Sequence, residues 1–130
     1  MEEDEVPTRL LLLAAAGAAG TLCRYGLAGL VQSGLGTRLP WSTLVVNVAG
    51  CLAAGILFGL FESRWAFSGE ARVIVLIGFM GAFTTFSSYM LETSELVRDA
   101  QWIAAAGNML LQNGLGAVAL YVGLVVARLA

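Results

Sequence analysis

Four apolar runs, at 10–31, 41–61, 73–91 and 103–127, take up most of a 130-residue chain, and the segments between them are too short to hold a folded domain. Each run is close to the roughly 20 residues an α-helix needs to cross a hydrocarbon layer about 30 Å thick. Lipid offers no partner to backbone N–H and C=O groups, so runs of this kind must satisfy them internally as helices. Composition agrees: 58% of the residues are hydrophobic and 12% charged, against about a quarter charged in an ordinary soluble domain. The expectation is an all-α integral membrane protein, one four-helix unit spanning a lipid bilayer. Trp41, Trp65 and Trp102 stand at run edges, where amphipathic rings favour the headgroup region.

The charges set limits on topology and chemistry. Glu2, Glu3, Asp4 and Glu5 stand where a signal peptide would be positive, and the first run is too long for its apolar core. The first run is therefore expected to stay as a helix behind a solvated, flexible acidic tail over 1–8. An even number of spans places Arg9, Arg64, Arg72 and Arg128 on one side and Arg38 and Arg98 on the other. Four against two favours cytoplasmic termini only weakly, and suits a chain that inserts both ways and pairs with its inverted copy. The absence of His excludes His-based catalysis and most zinc sites. There is no basic patch for nucleic acid. Cys23 and Cys51 lie within spans, lack C-x-x-C spacing, and read as small apolar groups.

Polar residues inside the runs are the informative exceptions. Arg24 costs about 2.5–3.5 kcal/mol at the centre of a span unless it finds a carboxylate, backbone carbonyls or an aqueous vestibule; Glu92 is the expected carboxylate. Thr43 and Asn47, four apart, share one face of the second span. Asn47 there is either glue between helices or a donor to a passing anion. Gly55 and Gly59 form a G-x-x-x-G pair that permits close helix approach. The third run carries Gly78, Gly81, Thr84, Thr85, Ser87 and Ser88 near its middle, so its helix is expected to break there. Such a break is tolerated only where it is buried in protein or lines a cavity, and its freed carbonyls can hold a cation. Phe86 and Tyr89 share one face, and Thr85, Ser88 and Glu92 form a second stripe. Asn108, Gln112 and Asn113 in the fourth run are expected to point inward, toward a polar track or a partner subunit. So many polar positions are hard to satisfy in a monomer, and at least a dimer is expected.

Gly20-x-x-x-Arg24-Tyr25, Thr43-Leu-Val-Val-Asn47-Val-Ala-Gly50 and Gly78-Phe-Met-Gly81-Ala-Phe-Thr84-Thr85-Phe86-Ser87 resemble motifs of the Fluc, or CrcB, fluoride channels. The resemblance runs through the whole chain in length, span number and motif order. It implies a prokaryotic cell-membrane channel: an antiparallel, dual-topology dimer with broken third helices, two narrow pores and a central structural Na⁺. By motif position, the carbonyls of Gly81 and Thr84 would bind Na⁺ and Asn47 would donate to fluoride. Phe86 would offer its ring edge and Thr85 and Ser87 their hydroxyls, with Arg24 and Glu92 toward the vestibule. Thr43, Ser88, Tyr89 and Gln112 complete the expected pore lining. Tyr89 stands where the family usually has a second Phe, and Gln112 and Asn113 where it often has Ser or Thr. Those departures leave open a homodimer or a heterodimer with a paralogous subunit.

The chemistry of these residues suits the resemblance. Fluoride is small, hard and strongly hydrated, and leaves water only for donors such as amide N–H and hydroxyl groups. A ring edge is electropositive and can face an anion. A small multidrug-type proton-coupled carrier would need an acid in the first span, where this chain has Arg24. A non-transporting membrane subunit would not need polar residues converging from three spans. Neither reading includes an enzyme.

Overall fold

The computed structural model describes residues 5–63 and 68–130, which form four passes long and apolar enough to cross a membrane. Helices α1 (Glu5–Leu35) and α2 (Trp41–Ser63) are continuous. The third pass is in two pieces, as its sequence implied. Its first piece, α3 (69–83), is wound in the wider i→i+5 form over Val73–Met80; its second, α4, is Phe86–Arg98. The last pass is α5 (Trp102–Leu129).

Every helix outruns its apolar stretch, because hydrogen bonding continues through polar end turns that lie beyond hydrocarbon. The third pass gains most in all, through the turns before Val73 and after Leu91. Ser68 caps the former, its hydroxyl accepting from the Ala71 N–H at 3.2 Å. The flexible tail needs correcting for residues 5–8, which form the first turn of α1. Pro7 is tolerated there because first-turn N–H groups have no helical acceptor. Residues 1–4, and Arg64 and Trp65 in the second loop, lie outside the described residues.

Two turns shape the connections. Gly36 ends α1 with φ +79°, donating its N–H to Gln32 O at 2.9 Å. The α4–α5 turn places Ala100 at φ 56° and returns the Gln101 N–H to Leu96 O at 2.8 Å. This tight reversal folds α4 onto α5, where the Asn108 amide donates to the Thr93 hydroxyl at 2.9 Å.

Helix α1 packs on α3, while α2 and α4 pack on α5. Small residues make the contacts, because lipid tails are as apolar as leucine and association depends on close approach. A Cβ on Gly55 would stand 2.2 Å from Leu120 O, and one on Gly123 would stand 2.3 Å from Leu52 O. One on Gly59 would lie 2.6 Å from the Ala127 Cβ. The Gly55/Gly59 pair is thus a packing element of the α2–α5 interface. Leu44, Val46, Phe61, Met80 and Leu96 are buried, whereas Leu11, Leu30, Leu110 and Leu129 are among the exposed large apolar residues, as a lipid-facing surface requires. Cys23 and Cys51 are both free.

Candidate functional site

The third pass breaks at Thr84 (φ −84°, ψ 155°) and Thr85 (φ −145°, ψ 108°), two extended residues between helical neighbours. Both are β-branched, and their side chains compete for the hydrogen bonds a continuous helix would use. The Thr84 N–H and hydroxyl both donate to Met80 O, at 3.1 and 3.0 Å. Thr85 caps α4, its hydroxyl accepting from the Ser88 N–H at 3.2 Å and donating to the Ser88 hydroxyl at 2.9 Å. Ser87 lies at the same end, its hydroxyl 3.5 Å from that of Thr85.

From α2, Asn47 holds the break open. Its Oδ1 accepts from the Thr85 N–H at 2.8 Å, and its Nδ2 donates to Thr85 O at 3.0 Å. The same Nδ2 donates to Gln112 Oε1 of α5 at 3.1 Å. In a continuous helix the Thr85 N–H would bond Gly81 O and the Ser88 N–H would bond Thr84 O. Side chains have taken both donors, so the two carbonyls expected to bind a cation have lost their helical partners. A hard, weakly charged ion accepts carbonyl oxygens of this kind, and these residues fit one. Among the described residues there is no cluster of three or more His, Cys, Asp or Glu able to hold a metal.

A cavity of about 420 Å³ opens at the break, with Asn47, Thr85, Phe86, Tyr89, Gln112 and Asn113 among its lining. Among the described residues no charged side chain lines it. Phe86 and Tyr89 meet edge to face, their centroids 5.5 Å apart at 73°. Tyr89 is buried while Phe86 is 72% exposed on the open side. Asn113 donates to the Tyr89 hydroxyl at 3.2 Å, so the tyrosine is tied to α5 in a way a phenylalanine could not be. Asn108 and Gln112 are buried as expected, but Asn113 is exposed.

Thr43, one turn from Asn47, donates its hydroxyl to Glu92 Oε1. The two polar pairs, Thr43 with Glu92 and Asn47 with Thr85, make a ladder between antiparallel α2 and α4. Glu92 borders a second cavity of about 350 Å³ with Gln32, Arg38, Ser42, Glu95 and Asp99. Arg24 does not join it. The expected Arg24–Glu92 pairing is absent: Arg24 Nε donates to Ala82 O at 3.1 Å. Gly20 explains this, since a Cβ there would stand 2.3 Å from Phe79 O. With α1 docked that closely, the guanidinium one turn on reaches the carbonyl end of α3. Arg24→Gln is expected to lower stability by about 1–3 kcal/mol, the cost of losing a charged donor to a half-buried acceptor; thermal unfolding in detergent micelles measures it.

Sequence reasoning passed over Ala82 and Thr93. Ala82 has no polar side chain to mark it, and Thr93 stands among end-turn residues that read as solvated. Gly50 was noted only as part of a motif, yet its missing Cβ makes room for Thr84 Cγ2, which would otherwise lie 2.3 Å away.

The family model described as CrcB-like protein, Camphor Resistance (CrcB), matches residues 11–124. The chain belongs to the CrcB family. This CrcB chain is 58% identical over 121 residues to the fluoride-specific ion channel FluC of Desulforapulum autotrophicum, covering 93% of the chain and 97% of the relative. It is 47% identical over 121 residues to the FluC of Nitrosococcus oceani, with 93% and 97% covered. To the FluC of Salinibacter ruber it is 42% identical over 115 residues, with 88% and 86% covered. Four apolar passes and relatives of bacterial origin make this CrcB chain a multi-pass membrane protein of a prokaryote.

Proposed function

We propose that the chain is a fluoride-selective channel that lets cytoplasmic fluoride leave the cell passively. The observation that carries the reading is the uncharged cavity at the helix break, lined by amide, hydroxyl and aromatic side chains from three passes. Donors of this kind can replace the hydration shell of a small hard anion, and a wall without Lys or Arg lets the ion go again. Thr43, Asn47, Thr85, Phe86, Ser87, Ser88, Tyr89 and Gln112 make up the pathway, with Arg24 and Glu92 toward its mouths. The relatives' names, fluoride-specific ion channels, support the same assignment.

The working unit of the proposal is an antiparallel, dual-topology dimer with two pores. Phe86, Ser87 and Asn113 are exposed near mid-depth in a single subunit, a position where polar groups normally face protein or water. An inverted copy, or a paralogous subunit, covers them and closes the open side of the cavity. A structural Na⁺ at the centre would be held by the carbonyls of Gly81 and Thr84, supplying fixed positive charge between the two chains.

The test is efflux from liposomes carrying the purified protein, with the membrane potential clamped by a potassium ionophore. Fluoride is expected to leave and chloride to stay. Retention of both by protein shown to be a folded homodimer removes the channel reading for the chain alone; release of both removes selectivity.

A further inference from the structure

Two adjoining cavities lie at the end of the bundle where the α1–α2 loop meets the α4–α5 turn, and they differ in chemistry. The first, of about 350 Å³, is polar: Arg38 comes to it from the loop, and Glu92, Glu95 and Asp99 come to it from one face at the end of α4. Glu92 accepts from Thr43. The side chains of Arg38, Glu95 and Asp99 form no hydrogen bond or ion pair among the described residues. The second cavity, of about 130 Å³, is an apolar groove walled by Trp41 and Leu44 of α2 and by Ala104, Gly107 and Leu111 of α5. Leu39 and Pro40 border both. The groove is open at Gly107, where a Cβ would meet nothing within 4 Å. From Ala104 to Leu111 it follows α5 for about 10 Å, from the edge that Trp41 marks toward the hydrocarbon.

A head space with charges of both signs, set at the membrane edge above an apolar slot, matches the order of groups in a phospholipid. At about 100° per residue, Ala104, Gly107 and Leu111 lie roughly 120–180° around α5 from Asn113, the residue that the second subunit proposed above would cover. The groove therefore faces lipid, an orientation that rests on that dimer. The charges narrow the choice of head group. A purely anionic head would meet Glu95 and Asp99, and a simple cation would meet Arg38. We propose that this face seats one phospholipid whose head pairs a phosphate with a primary ammonium, as phosphatidylethanolamine does. The Arg38 guanidinium donates to the phosphate oxygens. The ammonium, which has three N–H donors, is held by the Glu95 and Asp99 carboxylates. One acyl chain runs past Trp41 along the groove and covers Gly107. The site shares no lining residue with the cavity at the break, and it does not depend on which ion the chain conducts.

The test is lipid retention by the purified full chain in micelles, read by native mass spectrometry. Phosphatidylethanolamine, phosphatidylglycerol and phosphatidylcholine with matched acyl chains are supplied in equal amounts. Phosphatidylethanolamine is expected to be retained about fivefold or more over each competitor, the scale of one charged contact at a membrane surface. Phosphatidylglycerol lacks the cation, and the methylated ammonium of phosphatidylcholine has no N–H to donate. Arg38→Gln is expected to weaken retention of all three, whereas Glu95→Gln combined with Asp99→Asn weakens phosphatidylethanolamine alone and removes the preference. Gly107→Phe fills the groove, so retention of every phospholipid is expected to fall while the sizing-column profile is unchanged. Equal retention of the three lipids by the unsubstituted chain means an ordinary lipid shell and overturns the proposal. A preference for either competitor overturns it as well. Dissociation of the dimer by Gly107→Phe puts a second copy in the groove, which also overturns it. Should a variant fail to fold, the competition on the unsubstituted chain decides. Fluoride efflux is not the readout, so failure of the channel reading leaves this result intact.

Discussion

Asn47→Asp is expected to lower fluoride efflux by about 100-fold or more. Asn47 joins α2, the broken backbone and α5 through three hydrogen bonds, two of them donated by its amide nitrogen to Thr85 O and Gln112 Oε1. Aspartate puts oxygen where that nitrogen was, so two acceptors face a third, and a negative charge is introduced in the anion's path. A like charge about 4 Å from the anion opposes it by about 4 kcal/mol at an effective dielectric constant of roughly 20, and at roughly 1.4 kcal/mol per decade that is a factor of about 100 or more. The measurement is efflux per folded protein, normalised to the monodisperse fraction on a sizing column. Flux within about threefold of the unsubstituted protein would take Asn47 out of the pathway.

The second large effect is on stability and comes from the α2–α5 seam. Gly55→Val is expected to destabilise the fold by about 3 kcal/mol, the upper end for overpacking a close-packed interior. The first atom of the new side chain would stand 2.2 Å from the Leu120 carbonyl and 3.1 Å from Gly123 Cα. Both are backbone atoms of α5, so no rotamer change relieves the clash and the helices must separate. Separation also draws Gln112 away from Asn47, so efflux falls with stability. Gly107→Ala is the control: a Cβ there meets nothing within 4 Å, and alanine favours the helix by about 1 kcal/mol. Thermal unfolding of the two variants in the same detergent separates a packing effect from a general intolerance of glycine replacement. Equal midpoints for Gly55→Val and the unsubstituted chain would refute the close contact.

Much of this was legible in advance because the bilayer restricts the options so strongly. Run lengths fix four helices, and hydroxyls and glycines around Thr84 mark the weak point of the third. Thr43 and Asn47 share a face, and both do turn toward the third pass. The partners were less legible. Arg24 was expected to seek Glu92 because opposite charges attract at a distance, but it bonds the Ala82 carbonyl. Nothing in an alanine announces that its carbonyl has lost a helical donor. Glu92 instead accepts from Thr43, four residues from Asn47. Among the fourth-pass amides, Asn108 serves the α4–α5 hairpin through Thr93, Gln112 serves the break, and Asn113 holds Tyr89.

The sequence by itself determined the solvent, the number of passes and the location of the break, because each follows from local hydropathy and from the cost of unsatisfied backbone in lipid. Motif order was enough to point to the family. Only the tertiary structure decided which carbonyls lose their donors and which side chains face the cavity. Hydrogen bonding is the reason: each donor can be spent in several ways, and the choice depends on neighbours 38 and 65 residues away along the chain, as with Asn47 to Thr85 and to Gln112.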